Sequence, residues 1–365
     1  MKEAKTEFPD IDIVVELIGR EHPALEYMKK ALLAGKNVVT ANKDVVAVHG
    51  KELFELAAAH HVDFLFEASV AGGIPIIRPL KESLASNRIS LIMGIINGTT
   101  NYMLTRMTEE HMDFTEVLKQ AQEKGYAESD PTADIGGFDA ARKIAILSSI
   151  AFNTRVRLDE VEIEGIEKIS LRDIVYAEEL GYTIKLLGIA KQLKNGKISV
   201  GVHPTMLASV DDVFNAVYIE GQPIGEAMFY GRGAGRFPTA SAVCGDIIEC
   251  ARNIREGCNG RVGCTCYEEK ALALKEEVFS QFYVRLLVDE APGVLAQIAS
   301  VFGKHEVSLF NVLQTRKLGD LAEIVVITHP VSVYDLEEAT KELAVTKVVN
   351  RISNVLRVED DQSIC

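Results

Sequence analysis

No apolar run in the 365 residues approaches the roughly 20 needed to cross a bilayer. The opening Met-Lys-Glu-Ala-Lys-Thr-Glu lacks the apolar centre of a secretory signal, so a cytoplasmic location is expected. Positive charge is scarce. With 39 Lys and Arg against 53 Asp and Glu the net charge is −14, and neither nucleic acid nor an anionic membrane finds a basic footprint. Paired cysteines are missing too. Five of the six cysteines fall between Cys244 and Cys266, but Cys258, Cys264 and Cys266 read C-x5-C-x-C with no CxxC and no nearby His. That is not metal-finger spacing, and reduced thiols in a linker are expected. A fifth absence concerns nucleotides: no strand–GxGxxG–helix unit precedes Ile11.

What is present is ordinary for a globular protein, with 47% apolar and 25% charged residues, at a length that implies two or three domains. Ile11 to Ile18 reads as a buried strand ending at Gly19, followed by a helix over 23–34 and a strand at Asn37–Thr40. Strand–helix–strand with apolar strands is the parallel crossover of doubly wound sheets. Ligands in such sheets sit at the carboxyl ends of the strands, which puts Gly19 and the turn from Thr40 to Lys43 on the binding edge. A helix over 48–59, a strand at 63–67 and a glycine-bearing loop at 68–75 come next. A strand over 88–96 leads through Asn97-Gly-Thr-Thr-Asn101, good capping residues, to a helix starting near Tyr102.

The densest chemistry lies between Gly125 and Lys143. A loop turned by Pro131 and Gly136-Gly137 carries Glu128, Asp130 and Asp134. Phe138 then opens a helical pattern that puts Asp139 and Lys143 on one face. Such a pair is in most settings a surface ion pair, and acidic loop residues are in most settings simply solvated. Carboxylates facing a lysine suit another purpose: they hold an ammonium group of a substrate while the lysine, if burial lowers its pKa, moves a proton.

This string, GYxE-x-DP-x-x-D-x-x-G-x-D-x-x-x-K, resembles the signature of homoserine dehydrogenases, and every fixed position is filled. The resemblance implies reversible NAD(P)-dependent interconversion of L-homoserine and L-aspartate 4-semialdehyde, in threonine, methionine and isoleucine biosynthesis. It implies Lys143 as proton donor and acceptor, Asp139 holding substrate and lysine, Glu128 on the substrate's amino group and Asp134 in reserve. Lys43 is implied to meet cofactor or substrate. The loop Glu67-Ala-Ser-Val-Ala-Gly-Gly-Ile-Pro75 resembles one that binds a monovalent cation, sodium, implying Glu67 with the carbonyls of Val70, Gly72 and Ile74; from the residues alone it is an ordinary strand-to-helix turn. Gly231-Arg-Gly-Ala-Gly235 resembles the family's return to the cofactor domain, and Gly233 and Gly235 join Gly19 and Gly125 as implied contacts of NAD or NADP. Read alone, it is a glycine turn.

Beyond Thr154, strands at 184–192 and 198–206 build a mixed sheet, which in the family makes a dimer interface. From Ser280 the order β-α-β-β-α-β is ferredoxin-like. With Asp289-Glu-Ala-Pro-Gly-Val-Leu295 it resembles ACT domains, implying an amino-acid effector, threonine by pathway logic, in a homodimer or homotetramer; a dimerisation module without ligand is the alternative. The expected division is 1–46, the remnant of a Rossmann-type doubly wound domain lacking its first three strands; 47–256, an α+β catalytic domain whose helix 239–255 returns to the cofactor side; 257–279, a linker; and 280–358, the ACT-like domain. A competing reading, motivated by the missing glycine-rich loop, is a catalytically silent, amino-acid-binding and dimerising subunit.

Overall fold

A computed structural model describes residues 10–207 and 215–359. The chain opens with β1 (Ile13–Glu16), α1 (Ala24–Leu33), β2 (Asn37–Thr40), α2 (Lys43–Ala59) and β3 (Phe64–Leu65), whose strands form a three-stranded parallel sheet in the order β1-β2-β3. All four residues of β2 are buried, as expected of a parallel strand covered on both faces. α1 turns Ala24, Leu25, Met28, Ala31 and Leu32 inward at helical spacing.

Next come β4 (Arg88–Ile95), α3 (Gly98–Glu110), α4 (Phe114–Glu123), the single turn α5 (Thr132–Ile135), α6 (Phe138–Ala151), β5 (Glu162–Ile163) and α7 (Leu171–Glu179). The chain then forms β6 (Thr183–Gln192), β7 (Ile198–Leu207), β8 (Asn215–Gln222), β9 (Gly225–Gly231) and the long α8 (Arg236–Glu256). α6 buries residues on nearly every side, and its Ala and Ser content lets α2 and the sheet approach closely. The last elements are β10 (Phe279–Asp289), α9 (Val294–Lys304), β11 (Leu309–Leu318), β12 (Leu321–Thr328), β13 (Val331–Ser332), α10 (Val333–Val345) and β14 (Val349–Glu359).

The C-terminal β-α-β-β-α-β order is as expected, and this region has an apolar core of its own that includes Val284, Leu286, Ile298, Phe302 and Leu336. β14 pairs in parallel with β7, Val358 opposite Met206, so the ACT-like sheet and the central sheet run on as one, β11-β12-β10-β14-β7-β6-β4-β8-β9. Tyr283, Leu356 and Val358 belong to the main apolar core. The segment expected to be a linker lies against the body: Glu268 bridges to Thr154 and Leu272 to Ile198. Its cysteines are free.

Three helices begin earlier than the sequence pattern predicts. α2 starts at Lys43 rather than 48, because Asn42 caps it by accepting from the Val45 amide at 3.2 Å. The boundary expected at 46 therefore falls inside a helix whose following strand joins the same parallel sheet. α3 starts at Gly98 rather than near 102, since Asn97 accepts from the Thr100 amide. α8 starts at Arg236 rather than 239, with Pro238 in its first turn, where a missing amide hydrogen costs nothing. β3 is shorter than the strand expected at 63–67, because the backbone turns at Glu67. No helix among the described residues is long and apolar enough to cross a membrane.

Candidate active site

Four segments converge at one point: the ends of β4 and β2, and the starts of α2 and α6. α6 begins after Gly137, whose φ of +83° places it in the left-handed region. At the second residue of this helix, Asp139 is 8% exposed. Lys143, four residues on, donates to Asp139 Oδ2 at 2.6 Å and to the Ile96 carbonyl at 2.8 Å. The first residue of α2, Lys43, sets its Nζ 3.3 Å from Asp139 Oδ1. The carboxylate thus lies between two ammonium groups more than ninety residues apart in sequence.

Asn97, 3% exposed, closes the cluster. Its Nδ2 donates to Asp139 Oδ2 at 2.8 Å and to Asp134 Oδ1 at 2.7 Å, while its Oδ1 caps α3. One amide holds two acids in register. Burial alone would raise the Asp139 carboxyl, but Lys143, Lys43 and Asn97 hold it down at about 2. Asp134 moves the other way: burial raises it, and the neighbouring Asp139 charge adds to that. A pair of carboxylates in one site with opposed shifts is a frequent mark of acid–base chemistry.

Glu128 is exposed, and its backbone carbonyl accepts from Gln122; the hydrogen-bonded cluster does not include its side chain. Asp130 caps the turn at Thr132. Asn97 lay inside a string with a capping signature, but nothing in the sequence marks its second role.

Beside this cluster a cleft of about 580 Å³ opens between the carboxyl ends of β1 and β2 and the start of α8. Its lining includes Gly19, Ala41, Asn42, Gly235, Arg236 and Thr239. The amides of a helix N-terminus with an arginine beside them, facing strand ends, suit the phosphates of a nucleotide. Gly235, with φ at +114°, precedes the helix. Gly19 follows a loop tied down by Glu16, a carboxylate missed in the sequence. Glu16 is 3% exposed and accepts from Thr40 Oγ1 at 2.6 Å and from the amides of Ile18 and Gly19 at 2.6 and 3.2 Å. An acid ending an otherwise apolar strand was the available signal.

The other two expected cofactor glycines lie elsewhere. Gly233 is a packing residue: a Cβ there would meet the Asn215 side chain at 1.9 Å, and one on Gly72 would meet the Gly233 carbonyl at 2.3 Å. Gly125 follows α4, its amide bonded to Gln122, and is exposed.

The 67–75 loop is buried at Val70 and Ile74. Both carboxylate oxygens of Glu67 are occupied by backbone, accepting from the amides of Ile76, Ile77 and Arg78 at 2.6 to 2.8 Å. Asp246 of α8 accepts from the Glu67 amide at 2.8 Å, and burial pushes its own carboxyl up to about 6. Among the described residues no group of His, Cys, Asp and Glu side chains is arranged to hold a metal.

Comparison with known proteins matches three segments of the chain. The family models described as "Homoserine dehydrogenase, NAD binding domain", "Homoserine dehydrogenase" and "ACT domain" match residues 2–67, 75–248 and 282–346. Homoserine dehydrogenase of Bacillus subtilis is 44% identical over 359 residues, covering 96% of this chain and 83% of that protein. The protein of the same name from Synechocystis sp. is 46% identical over 364 residues, with coverage of 96% and 84%. The crystal structure of a homoserine dehydrogenase from Thiobacillus denitrificans superposes with a TM-score of 0.91 at 41% identity, covering 97% of this chain and 83% of that one.

Proposed function

The chain belongs to the homoserine dehydrogenase family, with an NAD-binding domain, a catalytic domain and a C-terminal ACT domain, and on that premise we propose how its residues divide the work. The reaction interconverts L-homoserine and L-aspartate 4-semialdehyde. When bound, the nicotinamide cofactor supplies or accepts the hydride. Gly19, Gly235 and Arg236 hold it in the cleft.

Lys143 gives its proton to the carbonyl oxygen as the aldehyde is reduced, and takes it back from the hydroxyl in the reverse direction. The Ile96 carbonyl and Asp139 fix the two other donor directions of that ammonium, which leaves the third for substrate. Asp139 positions Lys143 and carries the compensating charge. Glu128 and Asp134 are the anions for the substrate's amino group, Glu128 from the exposed side of the loop. Lys43 meets substrate or cofactor from the cleft side. The observation that carries this reading is Asp139 held between Lys143 and Lys43.

Several finer assignments rest on the same reading. NADP is the cofactor of choice; a hyperthermophilic archaeal homoserine dehydrogenase mutant, solved "in complex with NADPH", superposes with a TM-score of 0.59 at 32% identity, covering 68% of this chain and 74% of that one. A sodium ion is held by the carbonyls of Val70, Gly72 and Ile74, with Glu67 fixing the loop through its carboxylate and contributing through its backbone. The effector of the ACT domain is threonine, at the turn from Asp289 to Gly293. The chain works in the cytoplasm as a homodimer or homotetramer, a reading supported by β9, an edge strand with Met228 63% and Tyr230 56% exposed.

The test is direct. Purified chain mixed with homoserine and NADP⁺ is expected to generate reduced nicotinamide, and NADPH fluorescence is expected to change on binding. No turnover together with no fluorescence change overturns the proposal in favour of the silent, amino-acid-binding subunit.

A further inference from the structure

Away from the cleft, the segment after α8 lays Cys264 and Cys266 over a small, mostly apolar pocket between α2 and α6. Two cations face into it. Lys81 sits 4.6 Å from the centre of the Phe54 ring and 5.6 Å from that of Phe66, so aromatic faces rather than a carboxylate surround its ammonium. Arg155 presents Nε and Nη2, both buried and without a hydrogen-bond partner among the described residues. Thr265 Oγ1 is buried and unpartnered in the same place. Among the described residues neither cation is paired with an acid.

Buried unpaired cations are costly unless an anion compensates them. The enclosed space, about 20 Å³, holds a water and nothing as large as phosphate. Within the lining the only acids are the two thiols; Glu82 and Asp246 act on Lys81 from outside it, and burial draws the Lys81 ammonium down to about 8. The two thiols are not equivalent. Cys266 lowers the Cys264 thiol well below its ordinary range, and Arg155 and Lys81 add to that. Cys266 is driven upward by Cys264 and by burial, and its thiol donates to the Ser149 carbonyl at 3.7 Å. Cys264 is solvent-exposed and Cys266 half-buried. Two cations beside the sulfurs repel a metal ion but favour a thiolate.

We propose that Cys264 and Cys266 form a reversible dithiol–disulfide site, with Cys264 as the attacking thiolate and Cys266 as the resolving thiol, taking low-molecular-weight disulfides as its co-substrate class. The Cys264 thiolate attacks one sulfur of the small disulfide, forming a mixed disulfide and releasing one small thiolate. Cys266 then loses its proton to solvent and attacks the Cys264 sulfur, forming the internal bond and releasing the second small thiolate. The protein loses two electrons to the small disulfide, which leaves as two thiolates, and the one proton given up, from Cys266, goes to solvent.

The chain supplies its own comparison in Cys244, which is exposed and lies outside this pocket. Alkylation with iodoacetamide, followed by peptide mass spectrometry across about pH 6 to 8.5, is expected to show a Cys264 rate that stays nearly flat, with Cys244 measured in the same digest for comparison. The pH dependence is the readout because a thiolate of low pKa is also a weaker nucleophile, so that absolute rates at one pH nearly cancel. Lys81→Met and Arg155→Met are each expected to make Cys264 climb with pH; should either fail to fold, the other suffices. Oxidised glutathione is expected to remove two hydrogens from the peptide holding both cysteines. Cys266→Ser is expected to stop at a glutathione adduct on Cys264, and Cys264→Ser to leave Cys266 unmodified. A Cys264 profile that parallels Cys244, or a glutathione adduct that persists on Cys264 in the unaltered chain, overturns the proposal.

Discussion

Two buried clusters of carboxylates and cations in this molecule use the same chemistry to opposite ends. At the junction of the central and C-terminal regions, Arg285 is 5% exposed and binds Asp173 through Nε and Nη2 at 2.9 and 3.1 Å and Glu323 through Nη1 at 3.0 Å. Ser170, Tyr176 and Tyr283 fill the remaining directions. At the active site, Asp139 meets Lys143, Lys43 and Asn97, but Lys43 remains 34% exposed and Asp134 is held off its ordinary pKa. The first cluster is closed and fixes the C-terminal sheet onto α7. The second keeps one side open towards a cleft, where, in the function proposed, a substrate would complete it. Saturated polar networks rigidify a protein; networks with an open side are where chemistry is done.

Removing the central ion of each cluster breaks the comparison most sharply. Asp139→Asn leaves two ammonium groups without their anion; since losing one partner of a buried pair costs roughly 3–5 kcal/mol, kcat/KM is expected to fall by about 10² or more. Steady-state rates of homoserine oxidation measure it, and the thermal midpoint is expected to move less than in the next variant. Arg285→Met strands Asp173 and leaves Glu323 with Arg172, 3.5 Å away, as its remaining cation; a loss of about 3–5 kcal/mol is expected in urea unfolding, with the turnover of the folded fraction preserved. A large kcat loss at unchanged stability in that variant would erase the distinction.

A smaller effect is expected for Asn97→Ala. Hydrogen bonds to charged groups are worth about 1.5–3 kcal/mol, so kcat/KM is expected to drop roughly tenfold to a hundredfold, measured at saturating NADP⁺. The smallest effect is on acid stability. The Asp139 carboxyl is lower in the folded chain, about 2, than its ordinary 3.8, so its contribution is complete above about pH 4 and disappears as pH falls towards 2. Asp139→Asn is expected to flatten the urea midpoint over that window; an unchanged slope would mean that another group governs it.

How much of this was legible in the sequence follows from range. Glu128, Asp134, Asp139 and Lys143 were visible because they crowd into one short string, and helical spacing alone joins Asp139 to Lys143. The third member, Lys43, was seen as a strand-end lysine, but its pairing with a residue of α6 depends on how α2 packs. Local capping moved the helix starts: Asn42 looks like a loop residue until its side chain is seen to accept an amide one turn on, and the capping string 97–101 did not show that its first residue, Asn97, is the cap. The C-terminal order and its own core were legible, but its docking was not, because the pairing of β14 with β7 joins residues about 150 apart and leaves no periodic trace. Glycines were the hardest to sort. Gly235 and Gly233 are two residues apart in one motif, yet one lines the cleft and the other merely lets Asn215 and the 67–75 loop come close.

The central claim is that of two lysines on one carboxylate, Lys143 moves the proton and Lys43 does not. Single-turnover oxidation of homoserine, followed by nicotinamide absorbance in Lys143→Ala and Lys43→Ala with both folds checked by circular dichroism, separates them. The account predicts that Lys143→Ala slows the step by about 10²–10⁴ while Lys43→Ala keeps it within roughly tenfold and weakens binding instead. A near-normal step in Lys143→Ala, or the larger loss in Lys43→Ala, would contradict it.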